Sequence, residues 1–299
     1  MKFLTFTTPS AAGEQLGVLL SSGDILNVTM AAAQSQANIP NSMLALIRGG
    51  SEALRAVQAL LECHKASWLV SQELATYLPP VRNGKNVFCV GRNYREHIVE
   101  GNRANGRPEN QFPEAIEFFT KPATALTGHR GHVKRHQSLT QSLDYEVEMA
   151  FVIGKAGANI AETEALDHVF GITVLNDITA RDLQKRHGQW FKGKALDTSC
   201  PMGPVITHLS DISNLHDLRL TLEVNGELRQ DHRTSDMIFS VQRIIAELSA
   251  GMTLEPGDVI STGTPQGVGF AMTPPRCLQV GDVVRAYVEQ VGTLENTIV

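Results

Sequence analysis

The sequence has 299 residues, 42% of them hydrophobic, ten histidines and a formal net charge of -5, a length that buries a sizeable core in one large domain with or without an appendage. No block of five or more like charges occurs, which argues against a nucleic-acid surface or a polybasic membrane patch, and no apolar run approaches the roughly 18 residues that span a bilayer. Cys63, Cys89, Cys200 and Cys277 are scattered without a C-x-x-C pair, so neither a disulfide framework nor a zinc ribbon is expected.

The opening MKFLTFTTPS lacks the apolar core and small-residue cleavage site of a secretory signal, and the expectation is a cytoplasmic protein. MKFLTFT and LGVLLSSGDILNV read as short strands, the second containing Ser-Gly-Asp turn chemistry, and helical stretches follow around 42–48 and 51–64. These form a small α/β N-terminal domain over 1–78. The stretch 77–86 is rich in Pro, Gly and Asn and marks the boundary to a second domain over 79–299.

The second domain opens with the apolar strand Val87-Phe88-Cys89-Val90, followed by a polar turn and a helix carrying His97 and Glu100. Polar stretches at 101–114 and 128–142 flank the strand-like Ile116-Glu117-Phe118-Phe119-Thr120. The segments 100–111 and 129–136 are candidates for a mobile lid, and His129, His132 and His136 read as a solvated loop in preference to a metal site. Val169 to Asn176 is another apolar strand, and TARDLQKR after it has a helical pattern. Beyond 215 the chain is mostly β. Asn225-Gly226 between two apolar stretches is a strong hairpin signal, and the turn-then-strand pairs PGDVI and VGDVV suit a closed or rolled sheet better than a doubly wound one.

Four groups of residues carry chemistry. In DYEVEMAFVI, strand alternation places Asp144, Glu146 and Glu148 on one face, with residues two apart separated by roughly 7 Å. Such acids either point at water or converge on an ion. Asp177 stands where an apolar strand ends and a helical pattern begins, either as a helix N-cap or as a functional carboxylate. If the three met, each pair of charges about 5 Å apart would repel by about 3 kcal/mol at an effective dielectric near 20, so the cluster would need a cation or protons. Oxygen-only ligands favour Mg²⁺ or Mn²⁺, with Ca²⁺ also accommodated.

His97 and Glu100, three apart on a helix, share a side; they are either a surface ion pair or a base oriented by a carboxylate. Lys192 and Lys194 follow an aromatic pair and are either solvated or available to a substrate oxyanion. TGTPQGVG at 262–269 is a Gly-rich loop able to present backbone N–H groups, yet it matches no nucleotide-binding fingerprint.

Taken in order, GRNYREHIVE, FFTKP, DYEVEMAFVIG, NDITARDLQ, QWFKGKALDTSCPMGP, the Asn-Gly hairpin, TGTPQGVG and GTLENTIV resemble the pattern of the fumarylacetoacetate hydrolase family over about residues 85–299. The first 75 residues are similar to the short N-terminal domain that many bacterial members carry. The resemblance implies an α+β, mainly β fold: a rolled, mixed β-sandwich catalytic domain plus the small α/β domain, usually as a homodimer. It places the metal ligands on Glu146, Glu148 and Asp177, the catalytic pair on His97 and Glu100, and the active-site lysine on Lys194. Gln184 and Thr264 match positions lining the substrate pocket, and Lys121 and Arg181 match supporting positions. Arg92 stands where many members have an apolar residue and is either a contact for a second substrate carboxylate or a solvent-facing arginine.

The activity so implied is Mg²⁺- or Mn²⁺-dependent hydrolysis of a C–C bond in an acylpyruvate or related 1,3-dicarbonyl acid, by way of a metal-stabilised enolate, in the catabolism of aromatic compounds. Decarboxylation of an oxaloacetate-type 2-keto acid, isomerisation of a 2-hydroxy-diene-dioate and lyase action on ureidoglycolate-like compounds use the same kind of site. A non-catalytic metal- or ligand-binding module is the remote alternative. The expected partner is a small keto acid, without nucleic acid or membrane.

Overall fold

The computed structural model describes all 299 residues apart from the side chain of Ala12. Its centre is the strand Val147–Ile153, buried at every position. Both of its faces are covered, which is why this segment reads as a continuous apolar run instead of an alternating one. Met149 and Phe151 belong to a core shared with Leu220, Leu222, Val284 and Leu294 of a second sheet. Ala150 and Val152 belong to a core on the other side, shared with Leu46 and Val57 of the helix Met43–Glu62.

Around this strand a twelve-stranded sheet is assembled. On one side Val147–Ile153 pairs antiparallel with Val259–Ser261, which runs parallel to Val87–Gly91, itself antiparallel to Glu117–Lys121. On the other side come Val169–Asn176 and Cys200–His208. Then Lys2–Thr8 pairs with Cys200–His208 through Lys2↔Thr207 and Phe3↔Ile206, so the first 77 residues extend the same sheet across the segment where a domain boundary was expected. Ala11–Leu19 and Ile25–Asn27 are the two arms of a hairpin where the sequence suggested one strand. The helix Met43–Glu62 is interrupted at Gly50 (φ 53°), so it is two helical pieces, as the two helical stretches suggested.

The second sheet has five strands and contains the expected hairpin, Arg219–Val224 with Glu227–Arg233. Asn225 and Gly226 both have positive φ, 54° and 80°, the conformation that a two-residue turn of this kind requires. Together the two sheets make a sheet-rich α+β fold. Among the described residues no helix is long and apolar enough to cross a membrane.

Two expectations need correction. The segment 129–136 is not a lid. His132–Val133 is an edge strand parallel to Gly292–Ile298, Asn296 donates to the carbonyls of Gly128 and Gly131, and His129 Nδ1 accepts the Glu295 N–H. DYEVEMAFVI is also not one strand. Leu143–Asp144 pairs with Thr179–Ala180 while Val147–Ile153 pairs with Val169–Asn176, and the chain breaks direction at Tyr145 and Glu146.

Candidate active site

The break in that strand lets Asp144 and Glu146 serve different tasks. Asp144 is fully buried and accepts the backbone N–H groups of Gly269 (2.8 Å) and Phe270 (3.1 Å) together with Arg181 Nε (2.9 Å). It therefore fixes a loop and a guanidinium, and it lies outside the acidic cluster. Glu146, at the break, is held by its own backbone: its N–H donates to the Asn176 side chain and its carbonyl accepts the Asp177 N–H. This ladder pulls the strand end of Asp177 against the mouth of Val147–Ile153. Asp177 is not a helix cap; the helix Arg181–Arg186 starts after Ala180 without a side-chain cap.

Glu146, Glu148 and Asp177 each offer an oxygen within 4.8 Å of the others, and all three are buried. Cations surround them. Lys194 Nζ donates to Glu146 (2.7 Å) and Asp177 (2.6 Å). Arg181 Nη2 lies 2.7 Å from Glu146, and the wholly buried Lys121 lies 2.7 Å from Asp177 while donating to the carbonyls of Ile178 and Lys194. Glu148 is different. Its only donors are the Ser261 hydroxyl and the Gly263 N–H, with no cation in contact.

The electrostatics follow from this partition. Burial alone would raise Glu146, but Arg181, then Lys194 and the imidazole of His97, hold it well below the usual carboxylate range. Burial, then the charges of Asp177 and Glu146, push Glu148 up to about 8. For Lys194, burial is outweighed by Asp177 and Glu146, which keep it charged. Four buried acids, Asp144, Glu146, Glu148 and Asp177, thus face three bases, the buried Lys121 and Lys194 and the largely covered Arg181. Charge in a protein interior persists only when compensated, and the deficit falls on Glu148.

This donor set fits a hard divalent ion. The ligands are all oxygens that lie within 4.8 Å of one another, a spacing that matches one cation with bonds of about 2.0–2.6 Å. A divalent charge would turn the local deficit into a small excess that suits an anionic substrate. It must also displace the proton that Glu148 carries below pH 8. The apparent affinity for Mg²⁺ should therefore rise about tenfold per pH unit up to that point and level off above it. Competition with a chelator across pH 5.5 to 9 reads this slope directly, and a flat profile would remove Glu148 from the ligand set.

His97 and Glu100 line up beside this cluster. His97 Nδ1 lies 2.9 Å from Glu100; a carboxylate only accepts, so Nδ1 carries the proton and Nε2 is left as the basic atom. Glu100 is itself fixed by the Gly267 N–H, at 3.0 and 3.2 Å to its two oxygens. The Gly-rich loop does present N–H groups, to the carboxylates of Glu148 and Glu100 and not to a phosphate.

One cavity of about 710 Å³ joins these parts: it is lined by His97, Glu146, Glu148 and Lys194, with Phe119, Trp190 and Phe270 as apolar walls. Arg92, Gln184 and Thr264 also line it. Nε and Nη2 of Arg92 are engaged by Glu117 at 2.6 and 2.7 Å, so this cavity-lining guanidinium is already paired with a carboxylate of its own chain. Gln184 accepts from Arg181 (3.3 Å), and the Thr264 hydroxyl donates to the Val147 carbonyl and accepts from Gln230. The segment 101–112 folds back on its helix: Asn102 donates to the Gln111 carbonyl and Arg95 stacks on Phe112.

Ser261, which donates to Glu148, was not singled out in the sequence; it stands just before the Gly-rich loop, whose Gly263 N–H supplies the second donor.

The family model for the fumarylacetoacetate (FAA) hydrolase C-terminal domain matches residues 86–299. The oxaloacetate tautomerase YisK of Bacillus subtilis (strain 168) is 47% identical over 268 residues, covering 87% of each protein. Among solved structures, the fumarylacetoacetate hydrolase of the psychrophilic Exiguobacterium antarcticum is 38% identical with a TM-score of 0.80, covering 100% of this chain and 99% of that one. The maleylpyruvate hydrolase of Sphingobium sp. SYK-6, in complex with manganese(II) and pyruvate, is 30% identical with a TM-score of 0.77 over the same shares.

Proposed function

The chain belongs to the fumarylacetoacetate hydrolase family, and from that membership we propose a divalent-metal-dependent enzyme that moves a proton between the keto and enol forms of a short 2-oxo dicarboxylate. The observation that carries this reading is a cluster of three buried carboxylates, two of which, Glu146 and Glu148, line one cavity together with His97, whose Nδ1 is held by Glu100. Similarity to an oxaloacetate tautomerase across most of both chains supports the same choice.

Glu146, Glu148 and Asp177 would hold Mg²⁺ or Mn²⁺, with Ser261 and Gly263 orienting Glu148 and Lys121 orienting Asp177. When bound, the ion supplies Lewis acidity toward the 2-oxo and carboxylate oxygens and so acidifies the adjacent C–H. His97 Nε2 takes that proton, and Glu100 stabilises the imidazolium that results. The imidazolium then returns the proton to the enol oxygen, which closes the balance without water. Lys194, held between Glu146 and Asp177, sets a positive charge beside the developing oxyanion.

Hydrolysis of a C–C bond in an acylpyruvate is the second reading. It is favoured by the cavity's volume, about 710 Å³ with aromatic walls, which exceeds what a four-carbon diacid fills, and by the similarity to maleylpyruvate hydrolase. In that case His97 draws its proton from a water that attacks the distal carbonyl, and a role in aromatic catabolism follows.

A panel separates the two: oxaloacetate, acylpyruvates and 2-hydroxy-diene-dioates, each with Mg²⁺, Mn²⁺ or chelator. The expected result is metal-dependent decay of the oxaloacetate enol, followed by its ultraviolet absorbance, faster than turnover of any acylpyruvate. If no substrate turned over while calorimetry showed the ion bound, the chain would be a binding module instead.

A further inference from the structure

We propose a second ligand site, for a small oxyanion of the phosphate or carboxylate class, in a separate cavity of about 470 Å³ lined by Tyr145, Arg229, Arg276 and Cys277. The loop 264–279 serves both cavities, giving Thr264 and Phe270 to the first and Pro275 to Gln279 to the second.

The built feature is Arg229. Its side chain is only 6% exposed, yet its Nε has no partner, its Nη1 faces the Met272 thioether at 3.3 Å, and its one carboxylate contact is Glu227 at 3.2 Å. Buried guanidinium groups are normally saturated with acceptors. Arg276 grips the same carboxylate through both terminal nitrogens, at 2.5 and 2.8 Å, so two guanidinium groups share one exposed glutamate. Asp282 also lines the cavity, but its oxygens are taken by Asn225 and the Gln279 N–H. A planar or tetrahedral oxyanion presents paired acceptor oxygens of the geometry a guanidinium fork binds.

The site is wired to the first one through Gly267. The Tyr145 hydroxyl donates to the Gly267 carbonyl at 3.1 Å, and Gly267 packs so closely on the Arg229 carbonyl that a Cβ there would sit 2.1 Å from it. The Gly267 N–H holds Glu100, which holds His97. Gln230, next in the strand, donates to Thr264 Oγ1 and to the Pro265 carbonyl. An anion that draws Arg229 toward it moves the support on which Glu100 rests, so its effect falls on kcat and not on metal affinity. This kinetic arm rests on the enzymatic reading above; binding does not.

The test is calorimetry on the full-length, metal-loaded protein with inorganic phosphate and with succinate, each against sodium chloride at matched ionic strength. Saturable binding is expected, weakened about tenfold or more in Arg276→Gln and Arg229→Gln, while Arg276→Gln without anion keeps the parent's turnover. Tighter binding of phosphate or of succinate identifies the source of the oxyanion. The proposal is overturned if neither anion binds saturably, or if binding is unchanged in both variants. Dissociation of a dimer on Arg276→Gln, without anion binding to the parent, would assign the face to a second copy of the chain and overturn it as well. Because Arg276 is exposed, that variant stays informative even if Arg229→Gln does not fold.

Discussion

Glu148→Gln is expected to abolish metal-dependent turnover and, in the metal-free protein, to raise the melting temperature above pH 8. The two effects share a cause. Glu148 is the one acid of the cluster without a cation in contact, and it meets the charges of Asp177 and Glu146 in a buried setting. Its pKa is about 8 in the folded protein against 4.5 for a free glutamate, so the folded chain binds the extra proton between those values. The stability this proton contributes is complete below pH 4.5 and is lost as the pH rises through 8. A glutamine keeps the shape and still accepts from Ser261 and Gly263, but it carries no charge to be left uncompensated. Thermal melts at pH 6 and pH 9 with chelator should therefore show a larger advantage of the variant at the higher pH. Unchanged Mg²⁺ titration of the variant would mean that Glu148 is no ligand.

His97→Asn and Glu100→Gln should each lower kcat by about 10²–10⁴, the usual contribution of a general base, with metal affinity unchanged. In the proposed mechanism Glu100 acts through His97, to which it is bound at 2.9 Å while the Gly267 N–H holds it from behind. The double variant should therefore be no slower than His97→Asn alone. Steady-state kinetics on the three proteins measure this. Multiplicative losses would show that Glu100 acts on the substrate independently, and turnover of His97→Asn within a few-fold of the parent would exclude proton transfer by the imidazole.

Much of this arrangement was legible in the chain because its signals are local. Asn225-Gly226 marks its turn by backbone chemistry alone, and the apolar run from Val169 to Asn176 is a strand with those limits. Strand alternation alone left the acids either solvated or facing an ion; it was the resemblance that put Glu146, Glu148 and Asp177 in one set, and they do lie together. What resisted reading depends on partners far away in sequence. The alternation argument put Asp144 with Glu146 and Glu148, since it assumes an unbroken strand; the break at Tyr145 arises from pairing with Thr179–Ala180 and from the N–H groups of Gly269 and Phe270. Arg92 looked free because Glu117, its counter-ion, is on the neighbouring strand. Nothing in the sequence around Lys121 tells that its ammonium is wholly buried against Asp177.

The pairing of Lys2–Thr8 with Cys200–His208 has a consequence for how such proteins can be cut and recombined. A fragment beginning at residue 86 would contain all the residues that line the cavity holding His97, Glu146 and Glu148, yet it would carry a bare edge with Ile206 stripped of its cover. Open edges of that kind recruit other chains. The opening residues are in this sense a built-in gasket: a chimaera that exchanges catalytic halves between relatives has to bring its own first strand along, or supply another, to remain a discrete molecule.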